Sequence, residues 1–312
     1  LAQLRALGLE PELQRAFACA DAGACAWVDN VIVALPGQEP LPPLLLVAHH
    51  DSVGAGPGAG DDAHGVALIL EALRALRLDP PRRRPSVAVI TDGEEAGLLG
   101  ARAFTRHPRF TPDAVAINVE ARGTGGASRL FETSLGNRAL VAAYAAGVAR
   151  PSASSLAVEI YRRMPNDTDL SALMRAGARG LNLAFIGGVA RYHTPRDDLA
   201  HLDLGSVQQQ GDALLGAARA LADRDLPAAA AHDHHPAAGP ADDAAYIDLL
   251  GLALLRWPAA WGAPLALLAL LALLAAAHLE RRRSDLSARS CLFVLFTAAL
   301  APAAGALAAA AL

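Results

Sequence analysis

The chain has 312 residues, of which 53% are hydrophobic, 19% charged and 4% aromatic, with a net charge of −4. It is long enough to bury a full core, too apolar for a disordered polyelectrolyte, too poor in cysteine (3 residues) for a disulfide scaffold, and without a basic stripe for nucleic acid at a pI near 6.2. All 27 basic residues are arginine, a compositional bias.

In chain order, Cys19 and Cys25 come first, either as a local disulfide or as two free cysteines in a helical segment. Apolar runs bounded by turn residues predict strands over 44–48, 87–91, 114–119, 157–161 and 181–186. Helical periodicity alternates with them over 65–78, 98–107, 137–148, 170–176 and 204–222. Nearly all-apolar strands call for helices on both faces of a sheet, so residues 1–225 read as one α/β domain.

An Ala/Pro/Asp/His-rich stretch over 226–245 reads as a flexible linker, and its His232-Asp233-His234-His235 as solvated linker rather than a metal site. The remainder, 246–312, reads as a membrane region with two uncharged runs, about 257–277 and 290–312. Each is long enough as a helix to cross a hydrocarbon core of roughly 30 Å. Arg281, Arg282, Arg283 and Arg289 lie between the runs, which predicts a cytoplasmic loop and an extracytoplasmic domain before the first run. The start at Leu1 and the apolar end of the chain lead us to expect a piece of a longer membrane protein.

In open α/β sheets ligands bind beyond the carboxyl ends of strands, and the predicted strand ends here are unusually rich in histidine and carboxylate. After 44–48 comes His49-His50-Asp51-Ser52, then Gly58-Ala59-Gly60-Asp61-Asp62 leading into a helix. After 87–91 comes Asp92-Gly93-Glu94-Glu95, and after 114–119 comes Glu120. Pro165-Asn166-Asp167-Thr168-Asp169 precedes the last strand, and Tyr192-His193-Thr194 follows it. Taken singly, these are ordinary capping or hydrogen-bonding residues. Together they place two histidines and at least three carboxylates on one sheet edge, an N/O donor set that suits zinc, with manganese or cobalt also fitting. Five ligands suit two metals that share a carboxylate.

These strings resemble the zinc aminopeptidase family of co-catalytic metallo-exopeptidases, in the same order over residues 28–222. His49-His50-Asp51-Ser52 is similar to the family's His-x-Asp-Ser, Gly58–Asp62 to Gly-Ala-x-Asp-Asp/Asn, and Gly93–Leu98 to Gly-Glu-Glu-x-Gly-Leu. Asn118-Val119-Glu120 and Tyr192-His193-Thr194 match the last ligand blocks. Gly123-Thr124-Gly125-Gly126, Leu130-Phe131-Glu132 and Asp167-Thr168-Asp169 resemble the membrane-anchored branch of the endoplasmic reticulum and vacuole. The resemblance implies a mixed, mostly parallel central sheet with helices on both faces.

It also implies two zinc ions per chain, His49 and Glu120 holding one, Glu95 and His193 the other, and Asp61 bridging them. Glu94 would be general base and then general acid, Asp51 would orient His49, and Tyr192 would hydrogen-bond the tetrahedral intermediate. Asp169 and Asp197 would be supporting acids. The implied activity is removal of N-terminal residues from peptides. Alternatives on the same fold are a carboxypeptidase, a glutaminyl cyclase using one zinc, or a non-catalytic receptor-like ectodomain. His50 and His64 depart from the family's habits, and His50 should point to the opposite face of its extended segment. The expected partners are a peptide substrate and, through the C-terminal helices, a lipid bilayer; the oligomeric state is left open.

Overall fold

The computed structural model describes residues 1–226 and 242–283. One unit spans Leu1–Ala259, and a second begins at Ala260.

The first unit is built on a seven-stranded sheet. Its strands are β1 (Glu12–Cys19), β2 (Cys25–Leu35), β3 (Leu44–His49), β4 (Ser86–Thr91), β5 (Val115–Ala121), β6 (Arg129–Thr133) and β7 (Arg179–Phe185). Their spatial order is β1-β2-β4-β3-β5-β7-β6. β4, β3, β5 and β7 run parallel to one another. β1 and β2 add antiparallel at one edge and β6 at the other. This is the mixed, mostly parallel sheet implied by the sequence.

Every residue of β3, β4, β5 and β7 is buried, because helices cover both faces. Leu44, Leu46 and Ala48 pack with Ile69, Leu73 and Leu214 on one face, whereas Leu45 and Val47 pack with Phe104, Leu170 and Leu173 on the other. The first set of partners belongs to α2 (His64–Leu78) and α7 (Leu204–Ala222), the second to α3 (Leu99–Phe104) and α6 (Asp169–Arg175). α7 occupies the predicted span and is capped by the Asp203 carboxylate, which accepts from Ser206 N–H at 2.6 Å. The same unit also holds the shorter helices α1 (Ala2–Ala6) and α4 (Arg138–Gly147).

Cys19 and Cys25 take the first of the two expected alternatives: they face each other across the β1–β2 hairpin and are disulfide-bonded. Two segments differ from the sequence expectation. The run 157–161 forms not a strand but part of helix α5 (Ser155–Tyr161). A short apolar run fits either element, and here Ser154 Oγ accepts from Leu156 N–H at 3.2 Å and starts the helix.

Residues 244–258 form a further hairpin, β8 (Ala244–Leu249) and β9 (Ala253–Pro258), within the first unit. Tyr246 is buried, its N–H donates to Ser155 Oγ at 2.8 Å, and Ala244 N–H donates to Asn137 Oδ1 at 2.8 Å. The unit therefore extends past 225, through residues expected in the linker and the start of the membrane region.

In the second unit, helix α8 (Gly262–Arg283) follows. The stretch Ala259–Leu279 is long and apolar enough to cross a membrane by length and composition, with a mean hydropathy of 2.1. Its leucines from Leu265 to Leu279 are exposed, and a helix apolar on all sides suits lipid. The expected second run at 290–312, Arg289 and the 232–235 histidines lie outside the described residues.

Leu46 has no exposed surface and packs in the main core with Ile69, Leu73 and Leu214. Leu46→Ala is expected to destabilise the fold by about 3 kcal/mol, read from the midpoint of urea unfolding.

Candidate metal centre

Alternation along the parallel strands decides which side chains meet. On β3 and β5, Val47 and Ala116 face α3 and α6, so two-residue periodicity brings His49, Asn118 and Glu120 to that same face. The strands end together, and the loops beyond them supply the remaining groups.

Asp61 is the hub. Its Oδ1 lies 3.2 Å from His49 Nε2 and its Oδ2 3.0 Å from His193 Nε2. Glu120 Oε2 is 3.7 Å from His49 Nε2, and Glu95 Oε1 is 3.1 Å from His193 Nε2. Two donor trios result, His49/Asp61/Glu120 and Asp61/Glu95/His193, each with its atoms within 4.8 Å of one another. All five sequence-predicted ligands are brought together, with Asp61 common to both trios.

The chemistry of this donor set fits metal ions. Glu95 Oε1 is sealed from solvent without a hydrogen-bond donor, although it sits against an imidazole nitrogen. His49 Nδ1 lies 3.0 Å from the Asp51 carbonyl oxygen, the geometry of an Nδ1–H donor, which leaves the Nε2 lone pair turned to Asp61 and Glu120.

Asp51 differs in detail from its expected role. Its carbonyl, rather than its carboxylate, makes the shorter contact with His49, the carboxylate oxygen being 3.5 Å from Nδ1. The carboxylate instead accepts from the backbone N–H groups of Glu94 at 3.0 Å and Glu95 at 3.1 Å. It thereby fixes the base candidate and one ligand candidate together.

Asp197 holds the hub from behind, its two oxygens accepting from Gly60 N–H at 2.7 Å and Asp61 N–H at 3.0 Å. A Cβ on Gly60 would lie 2.4 Å from Gly123 O and 2.6 Å from Asp197 Oδ1, so only glycine fits there. His193 has φ +56, a left-handed conformation uncommon outside glycine. The Tyr192 ring stacks on His193 at 3.7 Å, with the Arg122 guanidinium 5.6 Å over its face. His50 is exposed and lies outside both trios, its Nε2 3.1 Å from Asp29 O. His64 is buried beside Gln210, its Nε2 3.0 Å from Gln210 Oε1.

Several polar partners carried no clear signal in the sequence. Asn118 Nδ2 donates to Glu120 Oε1 at 2.9 Å and to Asn182 Oδ1 at 3.2 Å. Asn182 sits in an apolar strand, and that interruption was the available clue. Thr91 Oγ1 donates a short hydrogen bond to Asp169, the acid the sequence did single out. Gln210 donates to the carbonyls of Glu120 and Leu183.

Crowding of carboxyls sets the electrostatics. Burial pushes Glu95 and Asp169 up to about 7, with Asp61 adding to the rise at Glu95. Burial also raises Glu94, Glu120 and Asp62. Asp61 goes the other way: burial opposes its charge, but His193 and His49 outweigh burial and hold it at about 2. Burial likewise works against His49, yet Asp51, Asp61 and Glu120 lift it well above 6.5.

A carboxyl raised in the folded state lends stability that is complete below its unfolded value and lost as pH climbs through its folded value. The unfolded values are 4.5 for Glu95 and 3.8 for Asp169. The metal-stripped chain should therefore lose Tm between about pH 5 and pH 8. Zinc should restore more of it at the upper end, as followed by scanning fluorimetry.

The model of Peptidase family M28 matches residues 30–218. Endoplasmic reticulum metallopeptidase 1 of Rattus norvegicus is 33% identical over 241 residues, covering 75% of this chain and 26% of that protein. The vacuolar membrane protease of Clavispora lusitaniae is 36% identical over 183 residues, covering 57% and 18%. The chain thus spans about a quarter or less of the length of these curated relatives.

Among solved structures, Porphyromonas gingivalis glutaminyl cyclase shares the fold with a TM-score of 0.55 at 18% identity, covering 69% of this chain and 85% of that one. The zinc aminopeptidase of Bacillus subtilis does so with a TM-score of 0.51 at 22% identity, covering 64% and 52%. The family match runs from β2 into α7, over more than half of the chain, and the chain belongs to peptidase family M28.

Proposed function

We propose that the chain is a zinc-dependent aminopeptidase using two zinc ions, the reading carried by the two donor trios that share Asp61. His49 and Glu120 would hold one ion, Glu95 and His193 the other, and Asp61 both. The pair, when bound, supplies Lewis acidity and lowers the pKa of water toward neutrality. The completeness of both trios favours hydrolysis over cyclisation with a single ion, and over a non-catalytic ectodomain.

The chain's own residues then divide the work. Glu94 is the base: its carboxylate takes a proton from the attacking water and delivers it to the departing amine nitrogen. Its N–H is pinned by Asp51, and it lies within electrostatic reach of Glu120, Asp169 and Asp61. Burial, reinforced by that crowding, raises its proton affinity, which suits a group that must both accept and return a proton. Tyr192, whose ring stacks on His193, would hydrogen-bond the oxygen that gains charge as the peptide carbonyl becomes tetrahedral.

The unit ending at Ala259 would carry this chemistry, and α8 would anchor it in a bilayer. The names of the relatives, a metallopeptidase of the endoplasmic reticulum and a vacuolar membrane protease, support a membrane setting. An extracytoplasmic position for the catalytic unit rests on the arginines of 281–283 and on the Cys19–Cys25 disulfide, which suits an oxidising compartment.

Two outcomes test this reading. Glu94→Gln should retain its metal by elemental analysis and lose about a thousandfold in kcat on aminoacyl-4-nitroanilides. Full turnover in that variant excludes Glu94 as the base. Asp197→Ala should weaken metal binding about tenfold or more by freeing the backbone at Asp61, measured by competition with a chromophoric chelator.

A further inference from the structure

A second polar system lies on the same sheet face as the metal centre and leads away from it. β6 pairs with β7 so that Glu132 stands opposite Asn182, and β7 pairs with β5 so that Asn182 stands opposite Asn118. Asn182 Nδ2 donates to Glu132 Oε2 at 2.9 Å and to Thr168 Oγ1 at 2.8 Å, and its Oδ1 accepts from Asn118. Asn118 in turn donates to Glu120. With neighbouring strands about 4.8 Å apart, Glu132 sits roughly 10 Å across the sheet from β5.

Glu132 is 7% exposed, and among the described residues it makes no ion pair. What it does face is a cavity of about 420 Å³, walled by Tyr161, Met164, Asp167, Met174 and two arginines. Both arginines are already engaged: Arg162 binds Glu159 at 2.9 Å and Arg175 binds Asp167 at 3.2 Å. The uncompensated charge of the cavity is therefore the Glu132 carboxylate. Burial, helped by Asp167 and Glu120, lifts that carboxyl to about 7, although Asn182 and Arg162 pull it down.

The cavity also touches Asn166 and Ser171, on either side of Thr168 and Asp169, and so borders the segment that packs behind the metal centre. A buried carboxylate with no cation, at the wall of an open cavity with two methionines, suits a ligand with an apolar stem and a positive end. Methionine adapts to a flexible stem, and a desolvated carboxylate gains most from a charge-assisted hydrogen bond. Lysine, with its four-carbon stem and ammonium, and arginine both have this form.

We infer that this cavity takes the side chain of the substrate residue next to the cleaved bond, and that Glu132 selects a basic one, lysine or arginine. The inference rests on the proposed peptide hydrolysis at the metal centre. Glu132 acts by direct contact with the substrate ammonium or guanidinium, while its bond to Asn182 keeps the carboxylate aimed.

The test compares lysyl- and norleucyl-4-nitroanilide, which differ by the ammonium, on the zinc-loaded full chain. The expected result is a kcat/KM ratio of about ten or more in favour of lysyl, collapsing toward one in Glu132→Gln. Glutamine still accepts from Asn182, so the ladder keeps an acceptor. Met174→Lys, which places a tethered ammonium in the same cavity, should lower the ratio as well, and it decides the matter if Glu132→Gln fails to fold.

A wild-type ratio near one overturns the inference, as does a ratio that survives Glu132→Gln while both substrates slow in parallel. Calorimetric binding of lysinamide against norleucinamide separates the two layers. If neither nitroanilide is hydrolysed but lysinamide binds more tightly and loses that advantage in Glu132→Gln, the peptidase reading fails and the cavity assignment stands. Equal binding of both amides to the wild-type chain overturns the cavity assignment whatever the hydrolysis result.

Discussion

Six carboxyl groups, those of Asp61, Asp62, Glu94, Glu95, Glu120 and Asp169, converge at the ends of β3, β4 and β5 where little water reaches them. Such a cluster is costly to bury without cations. In the metal-free chain part of the cost is met by protons, and five of the six groups hold theirs more tightly than usual because of burial. The exception, Asp61, stays ionised because it lies between two imidazoles. The rest of the site is arranged around that charge. Asp197 fixes its backbone, Gly60 allows the close approach, and Asp51 clamps the backbone of Glu94 and Glu95.

The sheet supplies rigidity that loops alone would lack. His49 and Glu120 sit on adjacent parallel strands, so their separation follows from strand spacing. Glu95 and His193 come from loops, and each needs a local device. The Asp51 clamp serves Glu95, and the left-handed backbone turn with the Tyr192 stack serves His193. The amide ladder through Asn118 and Asn182 extends the same order sideways, tying the Glu120 carboxylate to β6.

Much of this was legible in the sequence, for physical reasons. The parallel strands are continuous apolar runs, and their ends are marked by the abrupt arrival of His49, Glu94, Glu95 and Glu120. The supporting residues were harder to read. Asn182 and Gln210 act through partners 64 and 90 residues away, and a single chain carries no mark of such pairings. The 157–161 run failed for a different reason: a five-residue apolar segment has no period of its own, and the decision rests on the Ser154 cap. The β1–β2 hairpin was obscured because its edge strand is half exposed and mixes small, apolar and charged residues. The β8–β9 hairpin was hidden by the apolar composition it shares with the helix that follows.

The five donor residues run from position 49 to position 193, and no two of them are close enough in sequence to chelate an ion as a short peptide would. An unfolded or half-synthesised chain therefore presents scattered, weak donors. High affinity arises only after the central strands have paired across long loops, an intrinsically slow step. Metal retention would then be a gauge of global folding: a bound ion would add its binding free energy to the native state alone, so a lesion anywhere in the sheet would weaken its hold.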